Sequence, residues 1–227
     1  MRIIEKEIVA KDLITKSNLP ASDYVINPYV GCPHACKYCY AHFMKRFTGH
    51  TEEWGDFIDI KRCDKPMNVK KLYHKSVFIS SVTDCYNPFE EKYRITRNIL
   101  KQLKEADCSI TISTKSALIL RDIDILKELN HLRVAISINT LDNGFQRDMD
   151  NASSIAQRIA ALKELGKQGI YTVLFPRATS QVAACRHLAT AARVKYPVAL
   201  QRCKFDTPLL AAVSLIYVAH ISIYNRV

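Results

Sequence analysis

The feature that most restricts how this chain of 227 residues can fold is a regular alternation of short β-branched runs with segments of helical periodicity. Val77-Phe78-Ile79-Ser80, Ser109 to Thr114, Arg133 to Ile138 and Tyr171 to Phe175 each read as a strand. Between them the apolar residues recur every three or four positions. Glu91 to Glu105 brings Tyr93, Ile95, Ile99, Leu100 and Leu103 to one face, Asp122 to Leu129 is a shorter helix, and Ser154 to Lys167 is a longer one stopped by Gly166 and Gly169. With Tyr24 to Val30 as a first strand, the chain holds five strands and four connections. Crossover helices of this length join parallel strands, so the fold class is α/β, and chemistry in such folds gathers at the C-terminal ends of the strands.

The loop after the first strand carries the densest chemistry. Cys32, Cys36 and Cys39 lie in Gly31-Cys-Pro-His-Ala-Cys-Lys-Tyr-Cys-Tyr40. Thiolates are the soft ligands that iron–sulfur clusters take, and ligands three and four residues apart let one short loop wrap three corners of a cubane, leaving its fourth iron open. A structural zinc site completed by His34, His42 or Cys63 would use the same donors, and inert buried thiols are the third possibility. Cys63, Cys85 and Cys108 are too widely spread for a second cluster loop and read as small core residues.

A Cys-x3-Cys-x2-Cys run with the aromatic Tyr38 before its last cysteine resembles the radical S-adenosylmethionine (SAM) enzymes. Asn27-Pro28-Tyr29, Tyr38-Cys39-Tyr40-Ala41, Trp54-Gly55, Thr83-Asp84, Thr114-Lys115-Ser116 and Arg121-Asp122 narrow the resemblance to the spore photoproduct lyase-like branch, over roughly Tyr24 to Phe175. The resemblance implies a partial (β/α)6-type TIM barrel. It also implies a [4Fe-4S] cluster on Cys32, Cys36 and Cys39, with SAM on the open iron. Tyr38 would then lie against the adenine, Thr83 and Ser137 would line the SAM pocket, and Lys115 would meet the SAM carboxylate. Reductive cleavage of SAM would give methionine and a 5′-deoxyadenosyl radical, with one electron from a donor such as flavodoxin or ferredoxin. The activity would be lyase-like with an unassigned substrate, nucleic acid among the candidates.

Each of these roles has a plainer rival. Tyr38 can be a packed aromatic, Thr83-Asp84 a turn or helix cap, Lys115 a solvated strand-end lysine, and Ser137 a hydroxyl bonded to backbone. Arg158 reads as a helix surface charge. In spore photoproduct lyases a cysteine shortly before the Ser/Thr-Asp pair returns hydrogen to the product radical. Ser81 aligns there, its O–H is a poor donor to a carbon radical, and Cys85 lies four residues beyond.

Composition bounds the organisation. A hydrophobic fraction of 48% over this length suits one domain with a sizeable core. The net charge of +11 admits a nucleic-acid partner, yet residues 176–227 hold seven Lys and Arg against the single acid Asp206, about half of the excess. Those residues also contain ten Ala and no Gly. The division expected is therefore a core at 1–175 and a basic, Ala-rich tail at 176–227 that stands for a missing, replaced or frame-shifted end of the barrel. Thr48 to Tyr73 is irregular, with a small hairpin expected around Phe57 to Lys61 and a possible role as a lid. A charged N-terminus and the lack of a long apolar run point to a cytoplasmic protein without a membrane span. A zinc- or cluster-bearing nucleic-acid-binding module, or an inactive truncated homologue, are the alternatives to an enzyme.

Overall fold

The computed structural model of the chain describes residues 3–20 and 22–175. Its strands are β1 (Ile4–Val9), β2 (Ile14–Lys16), β3 (Tyr24–Ile26), β4 (Tyr29–Val30), β5 (Phe57–Arg62), β6 (Ser76–Ile79), β7 (Ser109–Thr114), β8 (Leu132–Ser137) and β9 (Thr172–Phe175). The helices are α1 (Glu90–Tyr93), α2 (Ile95–Leu103), α3 (Ile123–Leu126), α4 (Asn143–Met149) and α5 (Ile155–Lys167). The main sheet runs β2-β3-β6-β7-β8-β9, with β2 antiparallel to β3 and every other pair parallel. This is a partial α/β barrel, as the alternation of strands and helices implies. The expectation for residues 176–227 lies outside the described residues.

The period of two along the barrel strands separates two environments. Val77, Ile79, Ile110, Ile112, Val134 and Ile136 join Ile99, Leu100 and Leu103 of α2 and Leu162 and Leu165 of α5 in the main hydrophobic core. Phe78, Thr111, Ser113 and Ala135, at the alternate positions, line the lumen. Each fully buried aliphatic side chain in the core stabilises the fold by about 1.5–3 kcal/mol relative to exposure, which is why these elements are the ones the pattern finds.

Three elements differ from expectation, each for a local reason. The first strand breaks into β3 and β4 at Asn27-Pro28. Proline has no N–H for the ladder, and Asn27 turns its amide away to donate to Ser81 Oγ (2.8 Å) while its Oδ1 accepts from the Val82 N–H (3.1 Å). Phe57 to Lys61 is no hairpin: β5 is the middle strand of a second sheet, parallel to β1 and antiparallel to β4. The segment Glu91 to Glu105 divides at Arg94, which is left-handed at φ 52°, because the buried Glu90 carboxylate caps the second half by accepting from the Thr96 (2.8 Å) and Arg97 (3.2 Å) N–H groups. Beyond these, Tyr40–Phe47 is a 3₁₀ segment, and α4 arises where Asp142 caps Gly144 and Phe145.

A histidine with two acid partners ties the loop before β5 to that strand of the second sheet. His50 meets Glu52 at 3.0 Å through Nδ1 and Asp59 of β5 at 2.8 Å through Nε2, and its ring stacks on Phe57 at 4.0 Å. Burial pulls the imidazole pKa down, but the hydrogen bonds to Asp59 and Glu52 outweigh it and leave the pKa raised. A raised folded pKa means that the contribution is complete below the unfolded value of about 6.5 and fades as pH rises through the folded value. The melting temperature of the wild type should therefore exceed that of His50→Gln most near about pH 6, with the gap narrowing toward about pH 8. A gap that stays constant across that window would refute the charged form.

Candidate cluster and cofactor site

The three cysteines sit in tight turns between β4 and the Tyr40–Phe47 segment. The Ala35 N–H donates to the Cys32 carbonyl (3.1 Å) and the Cys39 N–H to the Cys36 carbonyl (3.0 Å). Cys32 and Cys36 are buried and Cys39 is partly exposed. Two glycines admit this loop. Gly31 has φ +84°, and a Cβ there would lie 2.4 Å from the Phe57 carbonyl; Gly55 has φ +116°, and its Cβ would meet the Ala35 Cβ at 2.7 Å. Trp54, beside Gly55, closes the loop's floor with Phe57 at 5.7 Å edge to face.

Three further ties fix the loop to the barrel. Thr83 donates its hydroxyl to the Gly31 carbonyl (2.7 Å). The Asn151 N–H donates to the His34 carbonyl (2.8 Å), and the Lys37 N–H donates to the Met149 carbonyl (2.9 Å). Loop 149–151 is in turn held by Asp150, whose carboxylate pairs with Arg158 and accepts from Gln146 Nε2 (2.9 Å) and Tyr38 Oη (3.0 Å). Arg158 is 1% exposed, and it also donates to the carbonyls of Ser153 (2.6 Å) and Ser137 (3.3 Å). The surface-charge expectation for Arg158 is thus corrected. Its place on the stripe Ile155, Arg158, Leu162, Leu165 carried the signal, since that spacing marks the buried face of α5.

Asp84, at the C-terminal side of β6, is the electrostatic centre. Its carboxylate accepts from the Thr114 hydroxyl (2.7 Å), the Tyr86 N–H (2.9 Å) and the Lys115 N–H (2.8 Å), and lies 3.3 Å from His34 Nδ1. Burial pushes its pKa up, but His34, the Thr114 hydroxyl and the Lys115 amide hold it well below the usual carboxylate range. The sequence offered Thr83 for the SAM pocket and Thr83-Asp84 as a turn or cap; what it lacked for Asp84 was the set of partners contributed by two other segments.

A cavity of about 580 Å³ opens at this end of the barrel, a volume in the range of small-molecule sites. Cys32, Cys36, Cys39, Thr83, Lys115 and Ser137 all line it. Tyr38 does not: its hydroxyl is held between Asp150 and the Asn139 amide (2.8 Å), and its ring lies 5.8 Å beneath the Lys115 ammonium. Ser137 is 3% exposed, and its hydroxyl has no hydrogen-bond partner among the described residues. Burial, with Asp84 and Cys36 adding, pushes the Cys32 thiol pKa up, and burial does the same for Cys36; Lys115 opposes both shifts. Cys85 is fully buried in the main core rather than on the cavity wall, and Ser81 lines the cavity with its oxygen already bonded to Asn27.

Among the described residues, no group of three or more His, Cys, Asp or Glu side chains could hold one metal ion. His34 faces Asp84, and Cys63 donates to the Lys65 carbonyl (3.4 Å). A cubane takes each thiolate on a different iron, so its ligands stand wider apart than around zinc and need no fourth side chain. Three thiols from one loop and a lysine line the same cavity, a donor set that suits such a cluster.

Known proteins bear on the same residues. The chain is 40% identical over 172 residues to an uncharacterized protein of Methanocaldococcus jannaschii, covering 74% of this chain and 65% of that one. It is 26% identical over 185 residues to an uncharacterized protein of Mycobacterium tuberculosis, covering 72% of this chain and 52% of that one. The chain thus spans between half and two thirds of these relatives. Among solved structures, a spore photoproduct lyase mutant with bound AdoMet and dinucleoside spore photoproduct has a similar fold, with TM-score 0.63 and 15% identity over 83% of this chain and 56% of that one. No helix among the described residues is long and apolar enough to cross a membrane. With the family model of the radical SAM superfamily matching residues 26–177, this chain belongs to that superfamily, whose cofactors are S-adenosylmethionine and a [4Fe-4S] cluster.

Proposed function

We propose that Cys32, Cys36 and Cys39 hold the [4Fe-4S] cluster, that the adjoining cavity holds SAM, and that the chain abstracts hydrogen from a carbon of an organic substrate. The observation that carries this is that the three thiols and Lys115 line the same cavity. Bound together, the two cofactors supply one-electron reductive cleavage of a carbon–sulfur bond in SAM.

The chain's own residues bind, orient and shield. Lys115 offers the ammonium for the SAM carboxylate, and its place is fixed because its backbone N–H is bonded to Asp84 (2.8 Å). Ser137 offers a hydroxyl from the end of β8, and Thr83 holds the cluster loop through Gly31. Tyr38 supports Lys115 from below rather than forming the cavity wall. The packed floor of Trp54 and Phe57 keeps water from the far side of the loop.

The solved neighbour is named for a dinucleoside lesion, and the positive charge of this chain favours a nucleic-acid component as substrate. Repair of a thymine photoproduct by a protein thiol is not the reading we adopt. Among the described residues the only thiols on the cavity wall are the three cluster ligands, and Cys85 is enclosed in the core.

The test is anaerobic reconstitution with iron and sulfide, followed by reduction with dithionite in the presence of SAM. A brown protein that forms 5′-deoxyadenosine and methionine is expected. A colourless protein that binds zinc and leaves SAM intact would instead support the nucleic-acid-binding module.

A further inference from the structure

We propose that the outer face of the segment Tyr40–Phe47 is the docking surface for an acidic electron-carrying protein that reduces the cluster, an inference that rests on the cluster assignment above. The segment starts directly after Cys39, the most exposed of the three ligands. From there π groups follow one another outward. Tyr40 and Phe43 lie 6.5 Å apart between centroids, and the Arg46 guanidinium lies 5.7 Å from the Phe43 ring and 4.7 Å from the Phe47 ring. The row leads from the last cluster ligand to open surface. In the electron-transfer step the partner loses one electron and the cluster gains it, with no bond made or broken.

The surface has the composition of a recognition site. Phe43 is 44% and Phe47 66% exposed, two large rings in water on one short segment, with Arg46 stacked between them. Aromatic and arginine side chains are the groups that dominate binding energy at protein interfaces. Neither phenylalanine lines the cavity, so a partner seated here leaves the cavity open to small molecules.

Charge selects an acidic partner. Arg46 and the exposed Lys37 have no carboxylate partner among the described residues. Two acids of the loop that follows the segment are already engaged, Glu53 with Lys45 and Glu52 with His50, both at 3.0 Å. The face therefore carries unneutralised positive charge beside the cluster loop, which steers an acidic protein and orients it. Two rings and an arginine make a short platform for single-stranded nucleic acid, and its continuity with a cluster ligand favours the redox partner.

Binding of an acidic flavodoxin to the full chain, measured by titration calorimetry, tests the surface without any turnover. Arg46→Glu and Phe47→Ser should each weaken it about tenfold. Arg46→Glu should also remove much of the salt dependence, and the circular dichroism spectrum of both should match the wild type because both side chains are exposed. On reconstituted protein, the same variants should slow SAM cleavage driven by reduced flavodoxin and leave dithionite-driven cleavage unchanged. If dithionite gives no SAM cleavage in the wild type, the functional assignment fails, while the binding measurement still judges the surface. Flavodoxin binding that both variants leave unchanged overturns the proposal. So does Arg46-dependent binding of a single-stranded oligothymidine without flavodoxin binding, or a wild-type dimer that Phe47→Ser dissociates.

Discussion

Cys36→Ala protein, reconstituted with iron and sulfide under anaerobic conditions, is expected to emerge colourless, with its iron content near background and SAM left intact. Cys36 is buried at the middle of the loop, and its turn also sets Cys39, whose N–H is bonded to the Cys36 carbonyl. Alanine keeps that backbone bond and removes only the sulfur. The fold should survive at a cost of about 1 kcal/mol, typical of a small buried truncation. Loss of colour in a folded protein then isolates ligation from stability. Cys85→Ala is the matched control, since Cys85 is equally buried but lies in the main core, and it should keep both iron and SAM cleavage. A brown Cys36→Ala protein that still cleaves SAM would remove the cysteine trio from the cluster.

How much the sequence revealed depends on how each residue reports its surroundings. β6, β7 and β8 were legible because every second residue packs into the core, so β-branched and apolar residues recur in a short run. β1 was not. Its residues Glu5, Lys6 and Glu7 are exposed and its strand character comes from the ladder to β5 rather than from burial, so no alternation of apolar and polar positions marks it. The cysteine loop was legible because all three thiols come from one short stretch and their spacing is local. The supports of that loop were not, because they are made across the chain: Tyr38 to Asp150 spans 112 residues, and Thr83 to Gly31 spans 52. Such pairings need the barrel to exist before they mean anything. Tyr38 shows the limit in the other direction, since its position in the motif is plain but its hydroxyl is committed to Asp150 and Asn139 behind the cavity wall.

Arg158→Leu tests whether those distant supports matter, and we expect it to destabilise the protein by about 3–5 kcal/mol, because the buried Asp150 carboxylate loses its counter-charge. Burial alone would raise the Asp150 pKa, and it is the Arg158 charge, first among the opposing influences, that keeps it lowered. Leucine fills part of the volume but leaves the carbonyls of Ser153 and Ser137 without their guanidinium donor. Adding Asp150→Asn to Arg158→Leu should recover a measurable part of the loss, since a neutral amide no longer buries a charge. Arg158→Lys should rescue poorly, because a single ammonium cannot span three acceptors that a planar fork meets together. The effect should also reach the cluster. Loop 149–151 holds the His34 carbonyl and the Lys37 N–H, so an Asp150 released from Arg158 loosens the stretch that spans Cys36. Under conditions where Arg158→Leu remains folded, it should bind less iron than wild type, and urea titration together with iron content reads both effects. An unchanged denaturation midpoint would show that the pair contributes nothing to folding. A destabilised variant with full iron would separate the barrel's stability from the geometry of its cysteine loop.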